Sequence, residues 1–218
     1  MSKTKAIVLT SGGIDSTVAL WWAVKQGWEI TPLTFNYFAR PKIEIVAMKK
    51  ILERTNARDL ITVPLDFMKE VEDLLKNGIF NDNLRGAPSS YIPARNLVFY
   101  SLGAYYSEVI GAELLVGGHN NGDPSKFPDS SSQFFKKLDE LFSIGLWSYC
   151  NHPVKTVLPL KDKKKHEIIQ LGIVLEAPLE LTWSCNYDFE KPCGKCSSCL
   201  ERGAAFKVLG KSDPSQYR

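Results

Sequence analysis

The sequence predicts an α/β fold, a doubly wound parallel sheet with a four-cysteine knob near its C-terminal end. Three observations carry this expectation. Short apolar runs alternate with segments of helical periodicity. The first run breaks at a Ser-Gly-Gly turn, and four of the five cysteines fall between Cys185 and Cys199.

Lys5–Thr10 (KAIVLT) is an apolar run of the length of a buried parallel strand. Thr17–Gln26 has apolar residues at helical spacing and stops at Gly27, a residue suited to a left-handed helix end. Trp28–Phe35 reads as a second strand, although Pro32 cannot donate to a ladder. Pro41–Thr55 is an amphipathic helix with proline at its start. Asp59–Pro64 reads as a third strand, Phe67–Lys76 as a short helix, Pro93–Glu108 as a longer one and Glu113–Gly117 as a fourth strand. Beyond these, Gln133–Phe142 and Lys165–Leu171 look helical and Val154–Pro159 strand-like, while Thr182–Cys199 has no periodicity. In sheets of this kind ligands bind beyond the carboxyl ends of the strands. The segments Ser11–Ser16, Asn36–Arg40 and His119–Asp129 would meet there.

The bulk composition fits this picture. The 218 residues are 44% hydrophobic and 23% charged, as in a globular protein with one core, so a single domain is expected over 1–218, with the knob at about 182–206. No apolar run reaches the roughly 18 residues of a membrane span. The N-terminus lacks the apolar stretch of a signal peptide, so a cytoplasmic location is expected. A net charge of +3 is too small a bias to indicate direct nucleic-acid binding. The basic cluster Lys161-Asp162-Lys163-Lys164-Lys165 reads as a solvated helix start or as a site for a polyanion.

Ser11-Gly12-Gly13-Ile14-Asp15-Ser16 follows a strand and opens a helix. Two glycines let backbone N–H groups approach an anion, and the hydroxyls of Ser11, Ser16 and Thr17 add donors. The following helix N-terminus adds partial positive charge. Asp15 is poorly suited to touch phosphate directly, but can hold Mg²⁺ or cap the helix. Neither G-x-x-x-x-G-K-[ST] nor G-x-G-x-x-G is present, which argues against the other common nucleotide loops.

Cys185, Cys193, Cys196 and Cys199 supply four thiolates with two C-x2-C steps, the spacing of a closed tetrahedral zinc site. An iron–sulfur cluster and a redox pair are the other uses of such cysteines. Cys150 stands apart and reads as a small hydrophobe.

Ser11–Ser16 resembles the signature of the N-type ATP pyrophosphatases, which cleave ATP between the α and β phosphates. With Tyr91-Ile92-Pro93-Ala94-Arg95-Asn96, Thr182-Trp183-Ser184-Cys185, Cys193-Gly194-Lys195-Cys196-x-x-Cys199 and Arg202, the chain resembles the 7-cyano-7-deazaguanine synthase family from about Lys5 to Phe206. That resemblance implies an adenine nucleotide alpha hydrolase-like, Rossmann-like fold and a carbon–nitrogen ligase of the queuosine pathway. It implies ATP, Mg²⁺ and Zn²⁺ as cofactors, a deazapurine substrate and ammonia as reactants, and a homodimer. Leu9, Thr10, Ser11, Gly12, Gly13, Asp15, Ser16 and Thr17 would contact ATP. Asp15, Arg95 and Lys165 would serve catalysis, with Lys165 either neutralising the leaving pyrophosphate or solvated. Tyr37, Arg40, Arg95, Asn96, His119, Phe127 and Asp129 would contact the substrate. Phe127 would stack on its ring and Asp129 would read a guanine-like edge. His119, His152 and His166 form no evident triad.

Two segments depart from the family's pattern: Tyr37-Phe38-Ala39-Arg40-Pro41, and Phe127-Pro128-Asp129-Ser130-Ser131 with no arginine after it. A related enzyme that joins the same carboxylate to another amine or modifies tRNA therefore stays open. So does a regulatory nucleotide-binding module.

Overall fold

The computed structural model describes residues 3–37, 40–68, 87, 91–123, 125, 127–151, 153–215 and 217–218. Five strands, all parallel, form a sheet in the order β3-β2-β1-β4-β5. They are β1 (Lys5–Leu9), β2 (Glu29–Asn36), β3 (Ile61–Pro64), β4 (Leu114–Val116) and β5 (Lys155–Val157). The described helices are α1 (Ile14–Lys25), α2 (Lys42–Leu52), α3 (Arg95–Ile110), α4 (Ser132–Gly145), α5 (Lys165–Val174) and α6 (Ser197–Val208).

The winding reverses at β1. β2 and β3 lie to one side of it, β4 and β5 to the other, so the crevice between the ends of β1 and β4 is a topological switch point. β1 alternates strictly: Ala6 and Val8 join one core with Val18, Leu20, Ile168 and Phe206. Ile7 joins the opposite core with Leu33, Tyr100, Leu115 and Phe135. A strand buried on both faces reads as a continuous apolar run, which is why it was legible.

Pro32 is accommodated because the pairing of β2 with β3 starts only at Leu33↔Ile61, one residue beyond it. The helix expected from Pro93 begins instead at Arg95. Ala94 sits in the left-handed region at φ 53°, so the chain turns before the helix starts. The tail without evident periodicity, Thr182–Cys199, runs into the start of α6, whose first turn is built from the C-x2-C step itself. The helix expected at Phe67–Lys76 lies outside the described residues from residue 69 onward.

Candidate active site

The Ser11–Ser16 turn sits at the switch point, after β1 and before α1. Its glycine is required by space as well as by conformation. Gly12 has φ 103°, and a Cβ there would lie 2.5 Å from the Glu44 carbonyl oxygen. The Ser16 hydroxyl accepts from the N–H groups of Ser11 (3.2 Å) and Gly12 (3.3 Å) and lies 3.0 Å from Ser11 Oγ. Gly13 N–H donates to Ser11 Oγ at 3.2 Å, and Thr17 Oγ1 donates to the Gly13 carbonyl at 2.8 Å. The loop thus gathers its N–H groups and hydroxyls at the start of α1, an arrangement suited to an anion.

At the mouth of this cradle Lys165 Nζ donates to both Asp15 oxygens, at 2.7 and 2.8 Å, and Asn120 Nδ2 donates to Asp15 Oδ2 at 2.8 Å. Glu201 of α6 lies 3.8 Å from the same ammonium. Burial works against the charge on Lys165, but the Asp15 carboxylate outweighs it and holds the lysine above its ordinary value. β4 can come this close because Gly118 lies flat on the loop: a Cβ there would meet the Asp15 and Ser16 backbone at 3.0 Å. Asn120 and Glu201 escaped the sequence reading. Asn120 was signalled only by its place beside His119 after β4, and Glu201 only by its spacing from Cys199.

The cleft has two lobes. The larger, about 650 Å³, is lined by the cradle, Asp15, Lys165, Tyr91, Arg95, Trp183 and Glu201, among others. The smaller, about 290 Å³, shares Ser11, Asp15, Tyr37, Glu44 and Arg95 with it and runs inward past Leu9, Thr10, Asn96, His119 and Phe127. Arg95 stands at the junction, its guanidinium 5.9 Å from the centre of the Phe127 ring. Tyr91 stacks parallel to Phe127 at 6.5 Å. Burial pushes the Tyr37 phenol up, and the nearby Arg95 charge only partly offsets this. Burial likewise raises the Glu44 carboxyl, opposed by Arg40.

Two residues expected to touch substrate are heavily engaged with the protein. Arg40 is buried, donating to Thr34 Oγ1 at 2.6 Å, the Phe35 carbonyl at 2.9 Å, Glu44 at 3.2 Å and the Ser11 carbonyl. It fastens the end of β2 to the cradle. Asp129 accepts the Asn96 backbone N–H at 2.9 Å, capping α3, and is not among the residues lining either lobe. Asn96 donates in turn to the Asp129 carbonyl and to Ser130 Oγ, both at 3.1 Å. Asn96 and Asp129 therefore lock the Phe127–Ser130 turn onto the start of α3.

The sulfur atoms of Cys185, Cys193, Cys196 and Cys199 all lie within 4.8 Å of one another. Lys195 and Cys196 N–H groups donate to Cys193 Sγ at 3.4 and 3.3 Å, and these bonds pull that thiol down to about 6. Four convergent thiols with backbone donors aimed at sulfur fit a metal ion of the soft or borderline class. The knob also forms part of the cleft wall. Trp183 N–H donates to the Gly12 carbonyl at 2.9 Å, and Asp188 accepts the Ile43 N–H of α2 at 2.9 Å. Arg202 is buried, bonded to Asp213 at 3.0 Å and to Thr182 Oγ1 at 2.7 Å.

No helix among the described residues is long and apolar enough to cross a membrane. A family model described as "Queuosine biosynthesis protein QueC" matches residues 5–210. The chain is 38% identical to 7-cyano-7-deazaguanine synthase 2 of Sulfurisphaera tokodaii, an alignment covering 98% of this chain. It spans about half of that relative, 48% of its length. It is 35% identical to the 7-cyano-7-deazaguanine synthase of Picrophilus torridus, covering 98% of this chain and 92% of the relative. With that of Oceanobacillus iheyensis the identity is 32% over the whole of both chains. Among solved structures, NMN synthetase from Francisella tularensis is similar with TM-score 0.53 at 18% identity, covering 97% of this chain and 79% of that one. A 4-thiouridine synthetase, solved with RNA and bound ATP, is similar with TM-score 0.54 at 22% identity, covering 88% of this chain and 45% of that one. These two likenesses concern the fold.

Proposed function

The chain belongs to the queuosine biosynthesis protein QueC family, and from that premise we propose that it is an ATP-dependent ligase converting 7-carboxy-7-deazaguanine and ammonia to 7-cyano-7-deazaguanine. The observation that carries this reading is the continuity of the two lobes. An anion cradle with a Lys–Asp pair at its mouth opens directly onto an aromatic-sided pocket of the size of a small ring.

In this reading the triphosphate lies on the Ser11–Ser16 turn and the deazapurine enters the smaller lobe beside Phe127. A carboxylate oxygen attacks the α-phosphorus, the bond to the bridging oxygen breaks, and pyrophosphate leaves. Ammonia then adds to the acyl carbon, AMP departs, and a proton is lost to give the amide. The amide oxygen attacks a second ATP in the same way. Loss of AMP and of both protons from nitrogen leaves the nitrile. Backbone N–H groups and Lys165 stabilise charge developing on the phosphates, while Arg95 holds the carboxylate at the junction of the lobes. Lys165 must exchange Asp15 for phosphate, and Asn120 and Glu201 are placed to steady both partners meanwhile. Asp15 is the group that would hold Mg²⁺, which supplies neutralisation of phosphate charge. Four thiolates with no open position suit Zn²⁺ in a structural role.

The test is direct. Purified protein with ATP, Mg²⁺, ammonia and 7-carboxy-7-deazaguanine should yield nitrile and AMP, followed by mass spectrometry. Arrest at the adenylate or amide would favour an enzyme using another amine. No substrate-dependent AMP formation would refute the ligase.

A further inference from the structure

Tyr100 lies in the middle of α3, is 0% exposed, and its hydroxyl has no hydrogen-bond partner among the described residues. Buried polar groups are paired with few exceptions, and an unpaired one in a binding lobe points to a partner that arrives with the ligand. Tyr100 is one of the residues lining the inner lobe. Its hydroxyl lies against Gly117, another lining residue, where a Cβ would come within 1.7 Å of the oxygen. Burial holds the phenol far above its ordinary value, so it remains a donor across the physiological range.

Its neighbour is the His119 ring, 5.7 Å away centre to centre. His119 Nδ1 faces Asp123 Oδ2 at 3.7 Å, and Asp123 is itself fixed by the Asn120 N–H at 2.9 Å. A carboxylate beside Nδ1 favours the proton there and leaves Nε2 as an acceptor. Among the described residues Nε2 has no hydrogen-bond partner. A donor residue and an acceptor residue thus both line a lobe flanked by Phe99 and Phe127, their rings 5.7 Å apart.

Resting on the ligase reading above, we propose that Tyr100 and His119 together read the lactam edge of the bound heterocycle. Tyr100 Oη donates to the ring carbonyl and His119 Nε2 accepts from the adjacent ring N–H. Tyr100 is then a specificity-determining residue. The pair selects rings that carry C=O next to N–H over aminopyrimidine-type edges, which present the reverse pattern and would leave both groups unpaired.

The measurement uses the full chain with Mg²⁺ and a non-hydrolysable ATP analogue. Calorimetry compares 7-carboxy-7-deazaguanine with its 6-deoxo analogue, on wild type and on Tyr100→Phe. A lost buried hydrogen bond should weaken binding of the full ring by about tenfold in Tyr100→Phe. Wild type should lose more than that on the 6-deoxo ring, which lacks both the carbonyl and the ring N–H, and the variant, left with the His119 contact alone, should lose less on passing to it. The ligand-free variant should melt at or above the wild-type temperature, because an unpaired hydroxyl has been removed. Equal affinity of wild type and variant for the full ring overturns this inference and leaves the ligase reading standing. A markedly lower melting temperature in the free variant also overturns it, since the hydroxyl would then serve the fold. A wild type that binds neither ring overturns both readings.

Discussion

Asp15 and Lys165 come from helices 150 residues apart and meet with bonds of 2.7 and 2.8 Å. Each side chain is about one-fifth exposed, so their pairing lies between the surface and buried limits and contributes about 1–3 kcal/mol. Asp15→Ala should therefore melt only a few degrees lower, since Glu201 remains to balance Lys165. Its substrate-dependent AMP formation should fall to background, and turnover near wild type would show that Asp15 holds no metal. Lys165 has its own signature in pH. Its folded value is raised above 10.5, so its stabilisation is complete below that pH and is lost as the pH climbs through the folded value. Wild type should accordingly exceed Lys165→Met in stability by a constant margin from pH 7 to about 10. That margin should shrink above 10.5, measured by urea unfolding at each pH. A margin unchanged at high pH would mean that the charge on Lys165 contributes nothing to folding.

The elements show why some of this was legible in the sequence and some was not. β1, α1 and the turn between them announce themselves because one apolar run, one glycine pair and one helical period follow each other without a break. Gly12 was readable as a conformational requirement, but not as a packing one. Only the fold brings the Glu44 carbonyl and the Met48 N–H of α2 to within 2.5 and 2.9 Å of where its Cβ would stand. Gly12→Ala should therefore cost about 2 kcal/mol or more from the left-handed φ and the backbone clash together. Nucleotide affinity should drop with it, read by thermal shift and by titration with an ATP analogue. An alanine variant with wild-type stability and affinity would contradict the tight seating of the loop on α2. Arg40 and Asp129 were visible as charges beside a predicted ligand zone, yet Arg40 is bonded to Thr34, Glu44 and the Phe35 and Ser11 carbonyls, and Asp129 to the backbone at the start of α3. A sequence carries the type of such a side chain but not the direction in which it is bonded. α6 was hidden for a related reason. Its apolar face is interrupted by Cys199 and Arg202, which point into a thiol cluster and an ion pair rather than into an aliphatic core.

At the scale of the whole molecule, the knob and the sheet share the cleft. The knob's own buried cluster is small: Trp183, Cys185 and Cys199 with Ala47 of α2, backed by Ile43, Cys193, Cys196 and Tyr217. Two of its four buried members are thiols, so a metal held by the four cysteines would supply cohesion that apolar burial cannot. Yet Trp183 is bonded to the Gly12 carbonyl, and α6 carries Glu201 to Lys165. If the cluster holds the proposed metal, stripping it should therefore loosen the outer wall of the larger lobe while the two cores on either side of the sheet persist. With a strong chelator, affinity for an ATP analogue should fall by at least tenfold. Far-UV circular dichroism should lose only the modest helical signal of α6, and restoring Zn²⁺ should recover both. The larger lobe is walled by Trp183, Ser184, Cys185, Asn186, Ser198 and Glu201, so more of its outer side belongs to the knob than to any strand. Metal-free protein that binds the analogue as tightly as before would mean that the Trp183–Gly12 and Glu201–Lys165 contacts survive without the thiolate centre. The cradle would then owe its shape to the sheet alone.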